Sequence, residues 1–362
     1  MKEKTTCKKQ SCRKTSIGGQ ALMEGIMMRG PEKSAMAVRR PNGKIFFEEE
    51  HNEKKARLRI CRAPFIRGVF GFVDSMRLGY KYLMRSAEIF CEEDSTEASN
   101  NAETVLETSE QGAVRDVAQE TGKAQAEEPK SIFGKATMTA IMVIATVLGV
   151  AMALGLFFWL PTFVYQLLAD HVLPESFAAS RLTRSVFEGL FKIFILVLYM
   201  ALVSLMKDIR RTFMYHGAEH KTIFCYENGM PLTVENVRKQ RRFHPRCGTS
   251  FLILMLLVSI VIGLFIPTQF GNLTGVLNTV VRAAVKILLI PVMMGIGYEL
   301  LKLAGRYDNL FTRIISAPGM WLQRITVREP DDGMIECAIM AFVAVMPEED
   351  KEFYLISKED QE

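Results

Sequence analysis

From Met138 to Leu160 the chain runs for 23 residues without a charge, a length that a bilayer demands and a soluble core does not. At 1.5 Å per residue such a helix reaches roughly 35 Å, more than the hydrocarbon core of about 30 Å. Three further apolar runs follow. Leu190 to Met206 carries only Lys192, near its start, where a long side chain can snorkel to the interface. Phe251 to Ile266 ends at Pro267, and Ala283 to Leu303 has Lys286 near one end and Glu299 near the other. The expected fold is mainly α: a polytopic membrane protein with about four transmembrane helices, near 138–160, 190–206, 251–266 and 283–303. A small α+β cytoplasmic module is expected beside it, formed by the N-terminal segment, the central loop and the C-terminal segment.

Orientation follows from the basic residues of the short connections. Nine Lys and Arg lie between 207 and 250, against two, Arg181 and Arg184, between 161 and 186. The 207–250 loop is therefore expected in the cytoplasm. With four spans both termini join it, which places a multi-pass protein in the cell membrane. The first residues, MKEKTTCKKQSCRK, are basic but lead into no apolar run, so no signal peptide is expected. A formal net charge of +5 suits basic cytoplasmic loops, and no nucleic-acid partner is expected. Seven cysteines scattered over the chain make no disulfide framework.

The rest of the chain divides by composition. Residues 1–16 read as a basic tail. Within 17–90, two strand-like runs flank a Pro41-Asn42-Gly43 turn, a hairpin signal, and Pro64 to Phe90 repeats apolar residues at helical spacing. That helix suits the membrane surface or packing on the hairpin equally well. Residues 91–130 are rich in Glu, Ser, Thr, Ala and Gln and read as an acidic disordered linker. The membrane domain occupies 131–305, and 306–362 form a cytoplasmic C-terminal segment in which Met334 to Met346 suits a helix with acids in its first turn.

The chemistry concentrates in the basic loop. It opens on His216-x-x-Glu219-His220. On a helix these residues share one face, so two imidazoles can ligate one metal ion with a carboxylate beside them as general base. The loop closes on Phe-His-Pro-Arg-Cys-Gly-Thr-Ser, with His244 and Cys247 just before the third span. Neutral imidazole and thiolate are the donors Zn²⁺ prefers. Glu299, an acid at the edge of an apolar helix, is costly there unless paired or liganded. Ordinary explanations suit each piece too: a solvated histidine pair, a buried thiol at a helix entry, an ion pair of Glu299 with Lys302 or a loop arginine. A closed four-ligand site would be structural and not catalytic. No phosphate-binding glycine loop or nucleophile elbow occurs.

Five segments together resemble the YqhQ-like family of bacterial membrane proteins, which carries a metal-dependent-enzyme label. They are GGQALMEGIMMRGP (Gly18 to Pro31), YHGAEHKTIFCYENG (Tyr215 to Gly229), RFHPRCGTSF (Arg242 to Phe251), GYELLKLAG (Gly297 to Gly305) and PGMWLQRITVREPDD (Pro318 to Asp332). The resemblance implies that the metal label rests on His216, Glu219, His220, His244 and Cys247.

The leading expectation is a metal-dependent membrane enzyme, hydrolytic, with zinc or another divalent transition metal at the cytoplasmic interface. His216, His220 and one or both of His244 and Cys247 would hold it, with Glu219 as base and Glu299 as a further ligand or a partner that orients a histidine. That position puts the protein against the lipid bilayer and suggests a lipid-linked or membrane-embedded substrate. The alternative is a non-enzymatic scaffold or assembly factor with a structural metal site. A transporter fits less well, since four spans are few and no broken-helix repeat is evident; an oligomer is compatible with all three.

Overall fold

The computed structural model describes residues 14–52, 63–109, 135–178, 180–273, 275–307 and 309–354. Four strands, β1 Gly18–Leu22, β2 Gly25–Arg29, β3 Lys33–Arg39 and β4 Ile45–His51, pair antiparallel in chain order. The helices are α1 Ile66–Ser109, α2 Lys135–Leu154, α3 Leu160–His171, α4 Glu175–Ala178, α5 Arg181–Val203, α6 Lys207–Glu227 and α7 Val234–Arg238. They continue with α8 Gly248–Gly263, α9 Gly275–Leu288, α10 Ile290–Arg306, α11 Leu310–Thr326, α12 Asp332–Val345 and α13 Glu348–Tyr354. The structure is thus mainly helical with one small antiparallel sheet.

Contacts divide the chain into two units, one of residues 1–95, 193–262 and 289–362, the other of 96–192 and 263–288. In the first, period-two alternation gives the sheet two apolar faces. Ile26, Met28, Ala35 and Ala37 join Tyr215 and Ala218 of α6 and Ile335, Ala338 and Phe342 of α12 in one core. Met27, Met36 and Val38 point the other way, onto Tyr82 and Ile89 of α1. The hairpin expected around Pro41 to Gly43 is β3–β4, with Gly43 at φ 80°. Asp331 caps α12 by accepting from the Met334 amide (2.8 Å).

Helix α1 packs on the sheet, one of the two readings held for it. While Tyr82 and Ile89 pack on the sheet, Phe70, Val73, Met76, Tyr80 and Met84 form an exposed apolar stripe. It also runs on to Ser109, so 91–109 are helical where a disordered linker was expected. Ala and Glu are strong helix formers even where they cannot build a core. The remainder of that linker and the basic tail up to residue 13 lie outside the described residues.

The membrane expectation is met only in its coarser form. Among the described residues two helical stretches are long and apolar enough to cross, Ile144–His171 and Arg181–Val203. A third exists if α9 and α10, bent by 43°, count as one span. Fewer than the expected four thus qualify. Helix α8 has 16 residues, roughly 24 Å at 1.5 Å each, short of a hydrocarbon core of about 30 Å. Pro291 stands at the first turn of α10, and its ring would clash with a carbonyl of a continuous helix, which breaks the run expected over 283–303. The first span sits further along than expected because a π-helical segment, Gly155–Trp159, precedes Pro161 and lets the helix continue into α3.

One close approach fixes α6. The Arg328 amide donates to the Phe213 carbonyl (2.9 Å), and a Cβ on Gly217 would run into the Arg328 carbonyl. Gly217→Ala is expected to cost about 1–3 kcal/mol through this overpacking. The readout is a lower Tm in detergent, and an unchanged Tm would contradict so tight a contact.

Candidate metal centre

Helix α6 carries His216, Glu219 and His220 at i, i+3 and i+4, and the imidazole centroids of the two histidines are 4.5 Å apart. Each ring is anchored from behind. His216 Nδ1 lies 3.0 Å from the Thr326 carbonyl and His220 Nδ1 2.6 Å from the Arg242 carbonyl. A carbonyl oxygen can only accept, so both rings carry a proton on Nδ1 and turn Nε2 toward the site, where it can ligate a metal once it is unprotonated. Metal-binding histidines are oriented in this way.

Cys247 enters from the other end of the loop. It directly precedes α8, and its Sγ lies 3.1 Å from His216 Nε2 and 3.2 Å from Thr249 Oγ1. Donor atoms of His216, His220 and Cys247 all fall within 4.8 Å of one another. Burial opposes a thiolate here, but the two imidazoles outweigh it and hold the Cys247 thiol well below its usual range. The start of a helix favours the same charge. Burial likewise opposes charge on His216, yet the adjacent thiolate raises it to about 9. His216 and Cys247 thus face each other as an ion pair, Nε2 to Sγ at 3.1 Å.

Glu219 is buried, 6 % exposed, and burial pushes its carboxyl above the usual range. Its Oε1 accepts from the Gly19 amide (3.0 Å) at the start of β1. A side chain on Gly19 would crowd that contact, since a Cβ there would stand 2.7 Å from the Met27 carbonyl and 3.1 Å from the Glu219 carboxyl carbon. The sheet therefore reaches the site through a residue that has to be small.

Two expected ligands are turned elsewhere. His244 is 5.5 Å from His220 ring to ring, but its Nδ1 accepts from the Arg246 amide (3.2 Å) and its Nε2 lies 3.9 Å from Glu227. Glu227 is in turn paired with Arg246 and accepts from the Thr15 amide (2.8 Å). Glu299 gives both oxygens to the Arg67 guanidinium (2.7 and 2.5 Å) and so stands in an ion pair, not among the histidines. Its partner is neither Lys302 nor an arginine of the basic loop.

The sequence reading passed over Gln323. Fully buried on α11, it donates to the His244 carbonyl (2.7 Å) and to Ser250 Oγ (2.9 Å) and accepts from the His244 amide (2.8 Å). It thereby clamps the turn that presents Cys247. No local signal marked Gln323, because it stands beside Arg324 in LQRIT and reads as part of a solvated face, whereas a buried glutamine has to be hydrogen-bonded. Beside His244 opens a cavity of about 660 Å³ lined by Arg241, Arg246, Arg324, Phe224 and Trp321 among others.

Comparison with known proteins accords with the segments that carry the resemblance. Residues 63–348 match the family model described as "Protein of unknown function (DUF1385)". The chain is 32 % identical over 329 residues to the "Uncharacterized protein YqhQ" of Bacillus subtilis (strain 168), covering 90 % of this chain and 91 % of that one. No solved structure matches. The match runs through the α6 motif, the Cys247 turn and the Gln323 helix alike, and the chain belongs to the DUF1385 family, with YqhQ among its relatives.

Proposed function

We propose that this protein is a metal-dependent hydrolase acting at the membrane surface, with zinc held by His216, His220 and Cys247. The carrying observation is the meeting of two imidazoles and a thiolate within 4.8 Å, each imidazole tied through Nδ1 to a backbone carbonyl. Three protein donors leave a position open, as catalytic zinc sites do and closed structural ones do not. When bound, the metal would supply Lewis acidity toward a carbonyl or phosphoryl oxygen. Glu219 keeps Oε1 on the Gly19 amide and uses Oε2 to take up and return a proton, a task suited to a carboxylate whose affinity for protons is raised. His244 borders the adjacent cavity, whose lining of arginines and aromatic rings, Arg241, Arg324 and Trp321 among them, suits an anionic, lipid-linked substrate.

The test is metal content. Wild type purified in detergent should carry zinc, and the His216→Ala, His220→Ala double variant should not. A full complement in the double variant would remove this loop as the site.

The basic 207–250 segment is assigned to the cytoplasm. Because α6, α12 and the sheet share one core, the chain from α6 to α12 has to return to the side it left. Two or four crossings in all satisfy this; three do not. Four is the reading favoured by the apolar character of α8, with α9 and α10 as the returning span. Asn272, exposed in the connection between α8 and α9, then faces outward. Asn272→Cys in a cysteine-free background is expected to react with an impermeant maleimide on intact cells, whereas protection until lysis would mean two crossings.

A further inference from the structure

A second concentration of charge lies in the unit of residues 96–192 and 263–288, and the proposed hydrolase uses none of it. Arg184, Glu188 and Lys192 of α5 and Arg282 and Lys286 of α9 are each at most 8 % exposed. Glu188 accepts from Arg184 Nε (3.0 Å) and Thr162 Oγ1 (3.2 Å), pairs with Lys286, and has Arg282 Nη2 at 3.9 Å. Lys192 lies over the Phe158 ring, 5.3 Å from its centroid. Among the described residues, one carboxylate thus faces four buried cations.

The carboxylate is also largely engaged. Its oxygens already serve Arg184, Thr162 and Lys286, yet Arg184 Nη2 and Arg282 Nε are buried with no acceptor among the described residues. The neighbouring polar groups are spent on one another. Gln166 donates to Thr279 (3.0 Å), Asn278 to the Thr268 carbonyl (3.0 Å), and Arg282 Nη1 to the Pro267 carbonyl. Arg184 is further held against the Tyr165 ring, 5.3 Å away, so its free edge keeps a fixed direction. Buried charge of one sign is retained in a membrane segment only when a partner answers it.

The size of the excess selects the partner. A neutral ligand leaves three positive charges unanswered, and a carboxylate leaves two. A phosphate group at about two negative charges brings oxygens enough for both orphaned guanidinium edges, and its geometry matches the arginine fork. We propose that Arg184, Arg282, Lys192 and Lys286 form a binding site for a phosphate group with two ionisable oxygens, carried as the monoester of phosphatidic acid or present as the free ion. Arg184 and Glu188 fall in the first two turns of the Arg181–Val203 span, a depth that a lipid headgroup reaches from its own leaflet.

The experiment uses the full chain in detergent and has two arms. Radiolabelled inorganic phosphate is titrated by equilibrium dialysis. Separately, protein from vesicles of phosphatidylcholine with phosphatidic acid is extracted gently and weighed by native mass spectrometry. Binding in the wild type, weakened by about ten- to hundredfold in Arg184→Gln, Arg282→Gln, is the expected result. Retention of phosphatidic acid alone assigns the site to a lipid headgroup, and binding of inorganic phosphate assigns it to the free ion. Glu188→Gln enlarges the positive excess and should tighten binding, which keeps the test decisive if the double variant does not fold. Absence of binding in both arms, binding untouched in a folded double variant, or loss of binding in a folded Glu188→Gln protein would each overturn the proposal.

Discussion

Cys247→Ala is expected to weaken zinc binding by about two to three orders of magnitude, while Glu299→Gln and His244→Gln leave it essentially unchanged. The size follows from sharing the roughly 10–16 kcal/mol of a four-ligand zinc site among its ligands, at about 3–4 kcal/mol each. The contrast follows from geometry. Cys247 Sγ stands 3.1 Å from His216 Nε2, whereas Glu299 is committed to Arg67 and His244 to Arg246 and Glu227. Cys247→Ser separates ligation from packing, because a hydroxyl fills nearly the same space but does not ionise at neutral pH. It should therefore lose the metal nearly as fully. Competition with a chromophoric chelator measures all four variants. Equal affinities for Cys247→Ala and wild type would mean that the thiolate serves only as the counter-ion of His216.

The parts of this site that sequence made visible are those whose spacing is local. His216, Glu219 and His220 lie within one helical turn, and the helix alone brings them to one face. The hairpin around Pro41 to Gly43 was visible for the same reason, since turn chemistry is local. Cys247 could be suspected because its loop also held His244. Which of the two would face His216 depended on Gln323, 79 residues beyond His244 in sequence. The partner of Glu299 lay 232 residues away, and a single carboxylate has too many candidate arginines for spacing to choose among them. Fewer helices than the four expected runs pass on length and apolarity together, because hydropathy registers how apolar a run is and not how long its helix is. Helix α8 is apolar throughout but has 16 residues, and Pro291 interrupts another run.

Glu219→Gln is expected to keep zinc and fold while lowering turnover by about 10²- to 10⁴-fold, the usual contribution of a positioned proton acceptor. Glutamine retains an oxygen that can accept from the Gly19 amide, so the link between β1 and α6 survives the exchange. What it cannot do is take up a proton. The readout joins zinc content with complementation of a strain lacking the protein, and with turnover once an anionic lipid-linked substrate is in hand. Zinc retained with complementation lost identifies Glu219 as the group that moves the proton. Zinc retained with complementation intact identifies a metal that holds α6 to the start of α8 in a scaffold. A carboxylate whose charge is disfavoured by burial, set beside two imidazoles and a thiolate, gains nothing for a scaffold that glutamine would not supply.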